Sequence, residues 1–231
     1  MLESIAFIPD GNRRYAKEHG LSLLHAYMLG TRKAWETLDW ITKYQSIKAG
    51  TFYTLSLKNF ERNRHELGLL FRVFEKELDK VLETDYFARK GIKLNFIGRL
   101  EQFPKKIRDK ILEAQQLTAE NSRRLVNLAL GYDGQAEIVD AARAVALDYA
   151  QKKVDLEALD EQSFQDYLYS KFPNPDLIIR TSGTQRLSGF LTYQSSYSEL
   201  YFCDKYWPEF SERDLDLAVK EFNSRQRKYG K

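Results

Sequence analysis

Residues 176–183 read DLIIRTSG, an apolar β-forming run that ends at once in an arginine and a Thr-Ser-Gly turn. A short run of this kind between polar residues is the signature of a strand buried on both faces. The same grammar recurs in SIAFIPDG (4–11), AGTFYTLS (49–56), IKLNFIG (92–98) and RLVNLALGYDG (124–134), and ELYFCD (199–204) is a shorter sixth candidate. Longer segments of helical period separate them. Strand and helix in alternation predict an α/β fold, a mostly parallel sheet covered by helices on both faces.

The segment after Asn63 is the clearest helix, with Leu67, Leu70, Phe71, Phe74, Leu78, Val81 and Leu82 on one face and Arg72, Glu75, Lys76 and Asp79 on the other. It reads either as a helix packed on the sheet or as the wall of a lipid pocket. A second amphipathic helix is expected from Leu29 to about Tyr44 and a third from Glu212 to about Arg227. No repeat or Pro/Gly/Ser-rich linker divides the chain, so residues 1–231 are expected to form a single domain.

The formal charge of +3 is too small to suggest a nucleic-acid surface, so any anion site must be local. Cys203 is the single cysteine, which excludes an intrachain disulfide and a cysteine-based metal site and suits a reducing cytosol. The start, MLESIAFIPDGN, lacks a basic segment before an apolar one, and no run of about 18 apolar residues occurs. The expectation is a cytoplasmic protein whose many Tyr and Phe could still touch a membrane transiently.

Ligands of open parallel sheets bind beyond the carboxyl ends of the strands, so the residues there are the candidates. After the first strand come Pro9-Asp10-Gly11-Asn12-Arg13-Arg14, with a helix starting near Tyr15. A tight glycine turn, a helix N-terminus and two arginines suit a phosphate. Asp10 would repel that phosphate unless a cation lay between, which suggests Mg²⁺; an ordinary Asp-Gly turn is the plainer alternative. The second strand ends in Ser56-Leu57-Lys58-Asn59-Phe60-Glu61-Arg62, and the DLIIRTSG strand leads to Arg186 and Ser188. Arg14, Arg62, Arg180 and Arg186 could hold more than one diphosphate, since a guanidinium binds phosphate oxygens in pairs. The histidines, His19, His25 and His65, have no ligand spacing, and no nucleotide-binding fingerprint is present.

IPDGNRRYAK, TFYTLSLKNFERNRHEL, LVNLALGYDGQAEIVDAAR and PDLIIRTSGTQRLSGFLTYQSSYSELYFCDKYWPEF together resemble, in order, the signature blocks of the cis-prenyltransferases, the family of undecaprenyl and dehydrodolichyl diphosphate synthases. The resemblance covers essentially the whole chain. It implies a homodimer with a central six-stranded parallel sheet and a hydrophobic tunnel, and a Mg²⁺-dependent condensation of isopentenyl diphosphate with an allylic prenyl diphosphate in Z configuration. By position, Asp10 matches the aspartate that works with Mg²⁺, and Glu199 a glutamate that helps to hold the ion. Gly11, Asn12, Arg13, Arg14, Tyr15, Tyr27, Phe60 and Arg62 match the allylic-diphosphate site, and Arg180, Arg186 and Ser188 the isopentenyl-diphosphate site. Asn59 with Ser56 matches a pair that assists proton removal.

Several positions depart from the family pattern. Leu23 and Tyr27 stand where arginine and histidine are usual, Lys58 and Thr184 replace glutamates, Asn63 a proline, and Gly189 an asparagine. Gly131 and Gln135 alter the NYGGR block, and Arg227-Lys228-Tyr229-Gly230 is close to the family's arginine-rich tail. The changes leave the primer open, and with it two other readings: an irregular synthase of the lavandulyl type that couples two allylic diphosphates, or a non-catalytic subunit of a heteromeric enzyme. Thr54 and Leu55 are expected where bulk could limit product length.

Overall fold

The computed structural model describes residues 1–169 and 171–225. In chain order the elements are β1 (Ser4–Ile8), α1 (Asn12–Glu18), α2 (Leu23–Lys43), β2 (Ala49–Ser56), α3 (Arg64–Glu83), α4 (Tyr86–Lys90), β3 (Ile92–Ile97), α5 (Lys105–Leu117), β4 (Arg124–Tyr132), α6 (Gly134–Ala150), α7 (Glu161–Gln165), β5 (Leu177–Arg180), β6 (Glu199–Phe202) and α8 (Glu212–Ser224). The strands form one six-stranded sheet in the order β3-β4-β2-β1-β5-β6, with every pairing parallel. All six expected strands are present.

Alternation along the strands divides the core into two layers. Ile5, Phe7, Phe52, Leu94, Val126, Leu177 and Ile179 face a large cluster that also contains residues of α2, α3, α5 and α8. Ala6, Ile8, Ile97, Ala129 and Ile178 face the other side with Phe172, Phe190 and Leu191. Burial on both faces explains why these strands read as apolar runs rather than as alternating patterns.

α2 begins six residues before the expected Leu29, because Ser22 caps it by accepting the His25 backbone N–H at 3.2 Å. α3 matches its expected span and is capped by Asn63, whose side chain accepts from the Glu66 N–H at 2.9 Å. α8 ends at Ser224, and the Arg227–Gly230 tail lies outside the described residues.

From β1 the chain moves through β2 toward one edge of the sheet and later returns to place β5 on the other side of β1. The crevice between the carboxyl ends of β1 and β5 is therefore the switch point where open α/β sheets bind ligands. It is flanked by Asp10 and Arg180.

Candidate active site

Thr181 joins the two strand ends at the switch point. Its hydroxyl accepts the Asp10 N–H at 2.9 Å and lies 2.7 Å from the Asp10 carbonyl oxygen as donor. The Asp10 carboxylate is thereby set against Arg180, which donates to Oδ2 at 2.8 Å, while Arg14 lies 3.4 Å away. Burial pushes the Asp10 carboxyl up, but the hydrogen bond and charge of Arg180, Ser182 and the charge of Arg14 more than reverse it and hold it below its ordinary value. Asp10 is an anion across the neutral range.

Arg180 is buried and gives Nη1 to the Ser188 hydroxyl at 2.8 Å and to the Arg186 carbonyl oxygen, so one guanidinium ties the Asp10 turn to the segment at 186–188. Its Nε is buried without a partner. Arg14 donates to the Ser182 hydroxyl at 2.5 Å and lies 5.5 Å from the Tyr206 ring centroid. Gly11 is required here: its φ is +105°, and a Cβ would come within 2.5 Å of the Tyr206 ring. α1 has seven residues, so the guanidinium groups rather than a helix dipole carry most of the positive field.

The second group is organised by Glu66, a residue that the motif reading did not single out. Its carboxylate accepts from the Tyr27 hydroxyl at 2.6 Å and from Arg62 at 2.8 Å, with Arg13 at 3.6 Å. Burial raises the Glu66 carboxyl, and Tyr27, Arg62 and Arg13 together bring it below the usual range. Burial and the bond to Glu66 push Tyr27 up to about 12. Arg62 also donates to the Tyr27 oxygen at 3.0 Å, so that hydroxyl is occupied in both directions. Tyr27 positions Arg62 and leaves no hydroxyl proton for a diphosphate. The signal for Glu66 lay in its place as N3 of α3, four residues after Arg62.

Ser56 ends β2, and its N–H is accepted by the Asn59 side-chain oxygen at 3.0 Å, which leaves the Asn59 amide N–H₂ for another partner. Both residues line the same cavity. So does Asp133, where the family pattern has glycine; its Oδ1 caps α6, and a Cβ on Gly189, whose φ is +78°, would meet its Oδ2 at 2.7 Å.

A cavity of about 1440 Å³ joins these groups. Its mouth carries Asp10, Gly11, Asn12, Arg13, Arg14, Tyr27, Ser56, Asn59, Arg62, Arg180, Arg186 and Ser188, and its interior is walled by Leu38, Phe52, Leu70, Phe71, Phe74, Val81, Phe87, Leu94 and Val126. From Leu70 to Val81, α3 runs along it for about 16 Å at the helical rise. α3 therefore does both things expected of it: Leu78 packs in the core, and Leu70, Phe71 and Phe74 wall an apolar cavity.

Three expected residues do not line this cavity. Tyr15 stacks on His19 at 4.0 Å, and Phe60 packs behind the wall on Phe103 at 5.2 Å. Glu199 begins β6 and pairs with Arg225 at 2.5 Å. In a parallel sheet the start of a strand lies at the end opposite the carboxyl termini, so Glu199 does not share a site with Asp10 in this chain. Thr54 and Leu55 line the mouth end rather than the floor, because they close β2 at its carboxyl terminus.

Among the described residues no three His, Cys, Asp or Glu side chains group as a metal site. Mg²⁺ needs no such cage, since it takes one or two protein carboxylates and fills its shell with phosphate oxygens and water. The ionised Asp10, beside a buried guanidinium with an unpartnered N–H, fits that donor set. No helix is long and apolar enough to cross a membrane among the described residues.

The family profile of undecaprenyl diphosphate synthase matches residues 8–230. A tritrans,polycis-undecaprenyl-diphosphate synthase (geranylgeranyl-diphosphate specific) of Methanopyrus kandleri is 40% identical over 230 residues, covering 99% of this chain and 84% of the relative. The protein of the same description from Pyrobaculum aerophilum is 40% identical, covering 98% and 95%. Lavandulyl diphosphate synthase from Lavandula x intermedia, solved with dimethylallyl diphosphate, superposes with a TM-score of 0.94 at 32% identity over 100% of this chain and 98% of its own. A probable undecaprenyl diphosphate synthase from Campylobacter jejuni gives 0.81 at 28%, over 100% and 99%. With the sheet order, the Asp10–Arg180 crevice and the tunnel, these matches identify the chain as a prenyltransferase that belongs to the undecaprenyl diphosphate synthase family.

Proposed function

We propose that this enzyme condenses isopentenyl diphosphate with a long allylic diphosphate, adding units in Z configuration with Mg²⁺ as the cofactor. The observation that carries the reading is the single cavity that continues from the Asp10–Arg180 crevice into an apolar tunnel, walled by α3 over about 16 Å from Leu70 to Val81. At roughly 3.5 Å per three bonds of extended chain, a four-isoprene primer needs roughly 18 Å, about the length of that wall together with the approach to it from the mouth. The name shared by the archaeal relatives, geranylgeranyl-diphosphate specific, supports a primer of that length.

In this reading Arg13, Arg14 and Arg62 hold the allylic diphosphate, and Arg180, Arg186 and Ser188 hold the isopentenyl diphosphate. The allylic C–O bond breaks with its electron pair leaving on the diphosphate, and the isopentenyl double bond attacks the allylic carbon. Loss of a proton from the adjoining isopentenyl carbon to an oxygen of the departing diphosphate forms the new double bond, assisted by the Asn59 amide and Ser56. The guanidinium groups stabilise charge as it develops on the leaving diphosphate, and the apolar wall keeps water from the allylic cation. Mg²⁺, held by Asp10, would supply further neutralisation of the diphosphates. The active unit is taken to be a homodimer in the cytoplasm with transient membrane contact for product release, which sedimentation and vesicle flotation would test.

Irregular coupling of two allylic diphosphates is the second reading, favoured by the higher structural similarity to the lavandulyl enzyme and by Leu23 at the cavity mouth in place of arginine. The deciding experiment incubates the enzyme and Mg²⁺ with labelled isopentenyl diphosphate and allylic primers of one to four units. A ladder of Z-polyprenyl products, fastest from the four-unit primer, is expected. Conversion of dimethylallyl diphosphate alone, with isopentenyl diphosphate unused, would establish the irregular reaction instead.

A further inference from the structure

Among the described residues, the apolar part of the tunnel contains one carboxyl group, that of Glu77 of α3. Its Oε2 accepts the Trp35 indole N–H at 2.7 Å and its Oε1 the Thr31 hydroxyl at 3.1 Å. Thr31 and Trp35 are one helical turn apart on α2, so both donors face α3 together. A carboxylate beside an apolar wall is costly unless its oxygens are hydrogen-bonded, and α2 supplies both bonds.

The contact has an inside and an outside. Trp35 lines the lumen, while the ammonium of Lys80, an exposed residue, lies 4.3 Å from the indole centroid. The indole also meets Phe87 and Tyr86 of α4, each at 5.4 Å between ring centroids. Phe87 and Val81 line the far end of the cavity, so Trp35 stands there between α2 and α3, with the lumen on one side and an exposed lysine on the other.

We infer that Trp35 is a shutter that closes the deep end of the tunnel between α2 and α3 and limits the length of apolar chain it accepts, with Glu77 as the residue that holds the indole in place. The inference deepens the proposed function, since it concerns how long a product the tunnel holds. Its physical content is nevertheless independent of turnover: a chain short of Trp35 gains apolar contact with each carbon, and a longer one gains none. A plain α2–α3 clamp, by contrast, would affect stability without affecting chain length.

The test uses n-alkyl monophosphates of increasing length as probes, with affinity measured by calorimetry on the full chain. For the native sequence, affinity should rise by up to about fourfold per methylene and then level off at a cut-off length. Trp35→Ala and Trp35→Leu should move that cut-off to longer chains, the leucine variant serving if the alanine variant fails to fold. Glu77→Leu, which removes the acceptor, should move it in the same direction, and Glu77→Gln, which retains a carbonyl acceptor for the indole, should leave it in place. An unchanged cut-off in the Trp35 variants, even with a lowered melting temperature, overturns the shutter; a shift with Trp35 but not with Glu77→Leu overturns the role of Glu77. Failure of the native enzyme to build Z-polyprenyl chains would sink the proposed reaction, whereas the alkyl-phosphate cut-off would still decide the shutter.

Discussion

The mouth and the floor of the cavity are built by opposite means. At the mouth, Arg13, Arg14, Lys17, Lys58, Arg62, Arg180 and Arg186 surround Asp10, and nearly all come from short segments immediately after β1, β2 and β5. At the floor, Val81, Phe87, Leu94, Val126 and Trp35 come from α3, α4, β3, β4 and α2, with the Glu77 carboxyl group among them. Charge at the mouth is brought close by strand-end turns and then fixed by tertiary contacts such as Arg180 with Asp10 and Arg62 with Tyr27. Shape at the floor is positioned by packing among elements far apart in the chain.

The difference ranks the consequences of mutation. Asp10→Ala should have the largest effect, a loss of about two to three orders of magnitude in kcat, the scale expected when a group that organises charge at the leaving group is removed. Because Asp10 lies in a strand-end turn, circular dichroism should remain native. Activity within tenfold of the parent would remove Asp10 from the mechanism and leave the mouth as mere surface charge.

Next comes Glu66, on which three cationic or hydroxyl groups converge. Glu66→Gln keeps the shape but weakens the charge-assisted bonds to Arg62 and Tyr27, for an expected stability loss of about 1–2 kcal/mol near neutral pH. Since the carboxyl is held below its ordinary value in the folded chain, its contribution is complete above the unfolded carboxylate pKa and disappears as pH falls through the folded one. Denaturation curves of parent and variant should therefore differ at pH 7 and converge in acid. A gap that persists at low pH would show that the loss is not electrostatic.

A smaller effect is expected from Tyr27→Phe, which removes the hydroxyl shared by Arg62 and Glu66 while keeping the ring. The expected loss of about 0.5–1.5 kcal/mol corresponds to a rise of up to about tenfold in the primer's KM, with that for isopentenyl diphosphate unmoved. An unchanged primer KM would mean that Arg62 is positioned adequately by Glu66 alone.

The same contrast accounts for what was legible in the sequence. All six strands could be read because burial on both faces makes them apolar runs, and Asp10, Arg14, Arg62, Arg180, Arg186 and Ser188 could be read because each follows such a run closely. Glu199 lies at the start of β6, away from Asp10 within one chain, and a motif match does not carry which end of a strand a residue occupies. Tyr15 stacks on His19 one helical turn on, and Phe60 turns onto Phe103, 43 positions away, which no local pattern specifies. Thr54 and Leu55 close β2 at the mouth end, whereas the deep residues meet through contacts such as Trp35 with Phe87, 52 positions apart. Glu66 needed the tertiary approach of α2 to α3 before its role in holding Tyr27 could be seen.

The central proposal is that one mouth holds two diphosphate subsites, one at Arg13, Arg14 and Arg62 and the other at Arg180, Arg186 and Ser188, and two-substrate kinetics on Arg62→Ala and Arg186→Ala test it most directly. Each variant removes a charge-assisted phosphate contact worth about 1.5–3 kcal/mol, or roughly ten- to a hundredfold in affinity. Crossed effects are expected, with Arg62→Ala raising the KM of the allylic primer and Arg186→Ala that of isopentenyl diphosphate. If both variants raise the KM of the same substrate and spare the other, the two-subsite account is contradicted.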